Sequence, residues 1–480
     1  MVGEIDVSVR KAIVSVAVLG IVAYGGVVGY LTHFDHETAP TLDTHSPTLA
    51  DPVASAAFAA IREARCDYCH ARNVDLPFYF HVPVANQLMQ RDLDQGLRHF
   101  RIEPVIEAFQ TGAVPSEEQL ARIEEVVRQN RMPPTLYLLM HWHAHLSQAQ
   151  RDALLNWVAA ERRAHYATPG VAARFAGEPV QPVPESVPVD VAKVALGQRL
   201  FFDKQLSGDG TLNCASCHAL DHGGVDGRVT ALGINGQHGP INVPTVYDAV
   251  FNKSQFWNGR AATLADQAAG PVMNPLEMGS HDWTLVADKV KQDPSYVSAF
   301  HDAFGSDDID KDRMTTAIAE YEKTLITPDS RFDRYLKGDE QALNAQEKNG
   351  YALFKSVGCS GCHTGVSLGG QAFEVMGLEG DYFAARGGTV TDADKGRYAV
   401  TGSRDDMERF KVPNLRNIAL TAPYFHDGSV KTLEDAVRLM ARYQTPDHTL
   451  SDHDVADIVA FLRTLTGTYQ GQPLAGTEAP

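Results

Sequence analysis

Outside three short motifs this 480-residue chain has no cysteine, so nothing is left over for a disulfide elsewhere. It has no excess of basic residues: 42 Lys and Arg face 60 Asp and Glu, a net charge of −18. That balance speaks against nucleic acid as a partner, because phosphate binding needs a basic surface. It leaves room for a basic protein partner. Sustained alternation of apolar and polar residues is missing too, which argues against a sheet-built core and for a mainly helical one. Apolar content of 44% with 21% charged residues argues against a disordered chain. At this length two to four domains are expected.

Long apolar runs are missing as well, with one exception. Ala12 to Thr32 is 21 residues without a charge, long enough to span a bilayer as a helix. It is longer than the apolar part of a signal peptide, and Tyr30-Leu-Thr-His-Phe-Asp35 offers no small-x-small cleavage site. Arg10 and Lys11 precede it, whereas His33, Asp35 and Glu37 follow. The positive-inside rule then keeps residues 1–11 in the cytoplasm and sends the remainder across the inner membrane, as a single-pass periplasmic protein. Gly25 and Gly29 form a GxxxG, which bears on helix dimerisation.

The six cysteines all fall in one pattern: Cys66-Asp-Tyr-Cys69-His70, Cys214-Ala-Ser-Cys217-His218 and Cys359-Ser-Gly-Cys362-His363. CxxCH is the c-type haem attachment pattern; the thiols bond to the porphyrin and the histidine ligates the iron. Three CxxC disulfides would not need a histidine after each second cysteine, and zinc would need two more ligands per motif. Three covalently bound haem c groups are therefore expected.

An Ala-rich helical stretch, 54–65, leads into the first motif, Val191–Phe202 into the second and Asn344–Val357 into the third. Capped apolar helices close the first and third units, at Ser147–Val158 and at Ser451–Leu462. That order is the pattern of small class I cytochromes c. Further helices are expected at Ser116–Gln129, Leu264–Ala269, Thr284–Gln292, Lys311–Leu325 and Thr432–Tyr443. The expected fold is mainly α: a transmembrane helix (12–32), a linker (33–53) and three cytochrome c-like haem domains at 54–166, 191–335 and 336–480. A Pro-rich linker (167–190) separates the first domain from the second.

From residue 191 onward the chain resembles the bacterial di-haem cytochrome c peroxidase family. The resemblance is carried by Leu200-Phe-Phe-Asp203, Gly223-Gly-Val-Asp226, Asn242-Val-Pro-Thr245, Gln255-Phe-Trp-Asn-Gly-Arg260 and Glu277-Met278. It continues through Val412-Pro-Asn-Leu-Arg416 and Leu420-Thr-Ala-Pro-Tyr-Phe-His-Asp-Gly428. The extra haem motif and apolar span in front resemble the tri-haem, membrane-anchored, quinol peroxidase-like branch.

The resemblance implies a peroxidase that reduces hydrogen peroxide to water. It makes the His218 haem the peroxidatic one, with Gln267 and Glu277 as distal groups and Trp257 between the two haems of the pair. A carboxylate there can move a proton between the peroxide oxygens, and an amide can orient the peroxide. His363 and Met440 are then the ligands of the electron-transferring haem. Asn242, Thr421 and Pro423 match the family's site for one calcium ion. Met440, where related tryptophan-modifying enzymes carry Tyr, argues for peroxidase over that activity. Membrane quinol or a soluble cytochrome c is the implied donor, and a homodimer is a further possibility carried over from the family. The alternative from another class is a multihaem electron-transfer cytochrome without catalysis.

At the first motif His70 is the expected proximal ligand. Met132, in Asn130-Arg-Met-Pro-Pro134, looks like the Met-Pro loop of small cytochromes; His141, His143 and His145 are its rivals, and otherwise surface or haem-edge residues. One departure stands out. Many relatives place a displaceable histidine in the loop after the peroxidatic motif, and Ile234 occupies that position here, with His238 four residues away. Isoleucine cannot ligate, so the His218 haem is expected to be open when oxidised.

Overall fold

The computed structural model describes residues 7–445 and 449–474, so residues 1–6 of the expected cytoplasmic segment lie outside the described residues. The described chain is mainly helical, as expected, and it folds into two compact units, Met1–Glu161 and Arg162–Pro480.

In the first unit a single helix, Val7–Thr38, contains the expected apolar span, and its stretch Lys11–Thr38 is apolar and long enough to cross a membrane. Ile13, Val16, Leu19 and Ile21 stand exposed along it. The next helix, Pro52–Glu63, starts at Asp51, whose carboxylate accepts from the amides of Val53 and Ala54. Phe58 packs edge-on against Phe109 at 5.5 Å, and Phe109 lies 4.6 Å from Trp157, which joins this helix to Glu103–Thr111 and Gln148–His165. Ser116 closes a capping box with Gln119 at the head of Glu117–Arg128. Residues 33–53 are not a free linker. Ser46 and Thr48 are buried, and both hydroxyls donate to the Phe109 carbonyl, one of the last-turn carbonyls that a helix leaves unpaired.

The second unit holds two cores. In one, Val191–Phe201 crosses Lys311–Lys323 so closely that a Cβ at Gly197 would lie 1.8 Å from the Ala317 carbonyl oxygen. In the other, Ala345–Ser356 crosses Asp452–Arg463, and a Cβ at Gly350 would lie 1.9 Å from the Asp457 oxygen. Each crossing thus joins the helix before a haem motif to a later helix of the same core, with glycine at the point of contact.

The Pro-rich segment expected as a linker is part of this unit. Val180 and Val183 are fully buried, Thr364 donates to the Pro179 carbonyl at 2.7 Å, and Val183 N–H donates to Asp333 at 3.1 Å. Buried Arg416 pairs with Asp333 at 2.9 Å and donates to the carbonyls of Gln181 and Val366. Proline lacks an N–H, so such a segment can be buried with few donors to satisfy. The only strands among the described residues are two short ribbons, Phe373–Val375 with Arg409–Lys411 and Thr468–Tyr469 with Gln472–Pro473.

Candidate active site

Each CxxCH motif forms a single tight turn: His70, His218 and His363 donate their backbone N–H to Cys66, Cys214 and Cys359 at 3.1, 3.0 and 2.9 Å. Each imidazole is then fixed through Nδ1. His70 faces the carbonyls of Gly96 and Phe100, both at 3.1 Å; His218 faces Gly224 at 3.2 Å and His363 faces Leu368 at 3.0 Å. A carbonyl only accepts, so Nδ1 carries the proton, the tautomer in which Nε2 is the metal-ligating nitrogen. Gly96 is required for this, since a Cβ there would lie 2.1 Å from the Cys69 carbonyl oxygen.

The residues fit c-type haem. The cysteines form no disulfide, and burial pushes Cys66 up to about 12, Cys69 and Cys217 to about 11, and Cys214 further upward. These four are neutral thiols in an apolar setting, unlike the depressed thiols of redox or zinc sites. Beside Cys214, buried Glu322 has a carboxylate oxygen without a hydrogen-bond partner, and burial pushes that carboxyl up to about 8. An orphaned buried oxygen next to an attachment cysteine is what a site shaped around a bound group would show.

Around the central motif, Gln267 lies half-buried on the helix Leu264–Met273. Pro271 and Asn274 follow at i+4 and i+7, on the same face. The turn after the helix returns Met278 N–H to the Pro271 carbonyl at 3.1 Å, and Asn274 Nδ2 donates to Glu277 Oε1 at 2.8 Å. Burial raises the Glu277 carboxyl above its ordinary range, against the pull of Arg260 and the Asn274 hydrogen bond. The loop carrying Ile234 docks on this turn: its N–H donates to the Glu277 carbonyl at 2.7 Å, and its side chain is buried against Gly279 and Gly208. His238 is exposed, and its backbone bridges to Leu232.

Trp257 connects the two cores of this unit. Its Nε1 donates to the Asn242 carbonyl at 3.0 Å, and its own carbonyl accepts from Lys411 N–H at 2.7 Å. Its ring packs on the cluster of Met376, Tyr382, Phe383, Phe410 and Tyr443, where Met440 packs too. Asn242 N–H donates to the His426 carbonyl at 2.8 Å and its Nδ2 to the Arg228 carbonyl at 2.8 Å, which leaves Oδ1 as an acceptor. This joins Asn242 to the segment that carries Thr421 and Pro423. Thr421 Oγ1 donates to the Ile418 carbonyl at 3.2 Å.

At the first motif Met132 is half-buried. Its rival His141 is not available to iron and is not a surface residue. It is fully buried, Nδ1 donates to Asp35 and Nε2 accepts from the Tyr79 hydroxyl at 2.7 Å. His143 also faces Asp35, at 3.1 Å. In the sequence Asp35 stands out only as a charge flanking the apolar run, and Tyr79 not at all. An aspartate just past a long uncharged run was the available signal, but its histidine partners lie more than 100 residues away.

Three family descriptions match in chain order: Haem-binding domain over residues 23–160, Di-haem cytochrome c peroxidase over 191–341 and Cytochrome c over 347–466. Cytochrome c peroxidase Ccp of Escherichia coli (strain K12) is 46% identical over 448 residues, 93% of this chain and 95% of that protein. The chain belongs to the di-haem cytochrome c peroxidase family. The peroxidase is also 47% identical to cytochrome c551 peroxidase of Nitrosomonas europaea over 306 residues, 63% of this chain and 88% of that one. A solved MauG-like protein associated with microbial copper homeostasis matches with a TM-score of 0.53 and 31% identity, over 60% of this chain and 94% of that chain. The protein is therefore a peroxidase that binds haem c covalently.

Proposed function

We propose that this peroxidase sits in the periplasm, anchored in the inner membrane by Val7–Thr38, with haem c at all three motifs. His70 and Met132 would hold the haem that takes electrons from membrane quinol, His363 and Met440 the one that relays them, and His218 the one at which peroxide is reduced, with Trp257 between the last two. Calcium at Asn242, Thr421 and Pro423 ties the loops between the last two together.

Bound haem supplies the redox-active iron at which peroxide is reduced. The chain's own residues handle the protons. Glu277, as carboxylate, takes the proton of one peroxide oxygen and returns it to the other as the O–O bond breaks; Gln267 orients the peroxide through its amide. Two electrons and two protons convert H2O2 into two waters. Ile234 offers no ligand, so the residues around Glu277 would admit peroxide without prior reduction.

The observation that carries this reading is the turn at Glu277, where a half-buried carboxylate of raised pKa is docked against the Ile234 loop. The test is peroxide-dependent oxidation of reduced quinol and of reduced cytochrome c by wild type and Glu277→Ala. Turnover of quinol by wild type and its collapse in the variant are expected; full turnover by Glu277→Ala contradicts the assignment. A soluble cytochrome c as donor is the second reading, favoured by the net charge of −18, which suits a basic partner.

A further inference from the structure

The first unit contains a group of polar side chains that haem binding does not explain. Asp35, three residues beyond the uncharged run, is 1% exposed. Its carboxylate accepts from Tyr68 Oη at 2.5 Å and from His141 Nδ1, with Arg65 Nη1 at 3.7 Å. Tyr68 lies between Cys66 and Cys69, so the carboxylate is one hydrogen bond from the haem attachment turn. Tyr137 stacks on His141 at 4.2 Å, and its buried hydroxyl has no hydrogen-bond partner.

His143 is the member of this group that reaches the surface, with 22% of its side chain exposed. Its Nε2 lies 3.1 Å from Asp35 and its Nδ1 a loose 3.4 Å from Thr32 Oγ1. Asp35 is an anion, so it favours the proton on Nε2, which makes no hydrogen bond of good geometry, and leaves the Nδ1 lone pair to accept; the Thr32 hydroxyl gives its own proton to the Val28 carbonyl. The charged groups facing this ring are Asp35, Glu63, His141 and Arg65; burial outweighs them and holds His143 below the ordinary histidine range, neutral and able to accept a proton. The group is not a cation site, because both nitrogens of His141 are already engaged.

Beside His143 lies apolar surface. Leu136, Leu139 and Trp142 are 74%, 55% and 59% exposed. Trp142 Nε1 donates to the Tyr24 hydroxyl at 3.2 Å and packs on that ring at 5.7 Å, while Tyr24 donates to the Leu139 carbonyl. Tyr24 lies eight residues before Thr32 on the same helix, about 12 Å deeper along the apolar span. The patch therefore runs from His143 alongside the membrane-compatible part of the helix.

We propose that this surface is the quinol-oxidation site, with the isoprenoid tail against Leu139 and Trp142 and one quinol hydroxyl on His143 Nδ1. The inference rests on the quinol reading above and names the site for it. On oxidation the hydroxyl O–H bond breaks and its proton goes to His143; the second hydroxyl gives its proton to water. The two electrons leave for the bound haem c beside Tyr68, so quinol becomes quinone plus two protons and two electrons. One peroxide consumes those electrons.

The experiment uses full-length, haem-loaded enzyme in vesicles, with His143→Asn and with Leu139→Ser/Trp142→Ser, whose exposed side chains are not part of the core. Three quantities are read: the rate with a short-chain ubiquinol or menaquinol relative to the rate with a water-soluble one-electron donor, the quinol KM, and the position labelled by a photoreactive azidoquinone. In His143→Asn the quinol-to-soluble-donor ratio is expected to fall about a hundredfold, with KM within a few-fold of wild type. The double variant is expected to raise KM about tenfold and to lose labelling of residues 136–143. Wild-type ratio, KM and labelling in both variants would overturn the site while leaving the quinol reading intact. Failure of wild type to oxidise any quinol while it oxidises reduced cytochrome c would overturn the quinol reading, and the site with it.

Discussion

The two cores of the second unit share a scaffold and differ in what the scaffold faces. Each has a glycine crossing, at Gly197 on Ala317 and at Gly350 on Asp457, and each fixes its CxxCH imidazole through Nδ1 on a loop carbonyl. Beyond His218 the chain places a buried isoleucine and a half-buried carboxylate of raised pKa. Beyond His363 it places Met440 in an aromatic cluster that also receives Trp257. The lesson is that two motifs with the same attachment turn face different loops: in the proposed reading, one side handles protons at an open position and the other holds an electron.

The largest effect that sharpens this contrast is expected from Glu277→Ala. Steady-state kinetics should show kcat/KM for peroxide down by about 10²–10⁴, with the haem spectrum retained. Ile234→His would break the contrast from the other direction. By supplying an imidazole it should make activity of the oxidised enzyme depend on prior reduction, seen as a lag that a reductant removes. Met440→Ala tests the electron-holding side, because thioether ligation raises a haem potential. Redox titration should show that haem's potential lowered, and turnover should slow with Glu277 untouched.

The shared scaffold gives a smaller, symmetrical prediction. Gly197→Ala and Gly350→Ala each force a Cβ against a carbonyl at under 2 Å, so each should cost about 1–3 kcal/mol in a denaturant melt. Destabilisation by one and not the other would break the equivalence of the two crossings. The smallest effect is on the pH profile. Burial raises the Glu277 carboxyl in the folded protein, and as the proposed base it must be ionised. Activity should therefore fall as pH drops through a value above the ordinary carboxylate range. Glu277→Gln should lack that limb.

Much of this was legible from residues close in sequence. The CxxCH turns, the caps at Ser116 and Ser451 and the helix before each motif all follow local rules. The polar helix Ala85–His99 was missed because it has few apolar residues and no side-chain cap, and Gly96 is there for its contact with Cys69. The two supposed linkers were misjudged because proline and small hydroxyl residues read as loop, although Ser46, Thr48 and Val180 are buried by partners far along the chain. The histidines at 141 and 143 gave no clue to Asp35, over 100 residues earlier, since a buried contact between distant residues has no period to read.

The central claim is that the His218 haem is open in the oxidised protein because Ile234 occupies the position of a blocking ligand. Low-temperature electron paramagnetic resonance of the fully oxidised, as-isolated enzyme tests it most directly. The account predicts a high-spin ferric signal that disappears in Ile234→His and a first turnover with peroxide that needs no prior reduction. Only low-spin signals from the wild-type enzyme, with turnover strictly dependent on reduction, would contradict it.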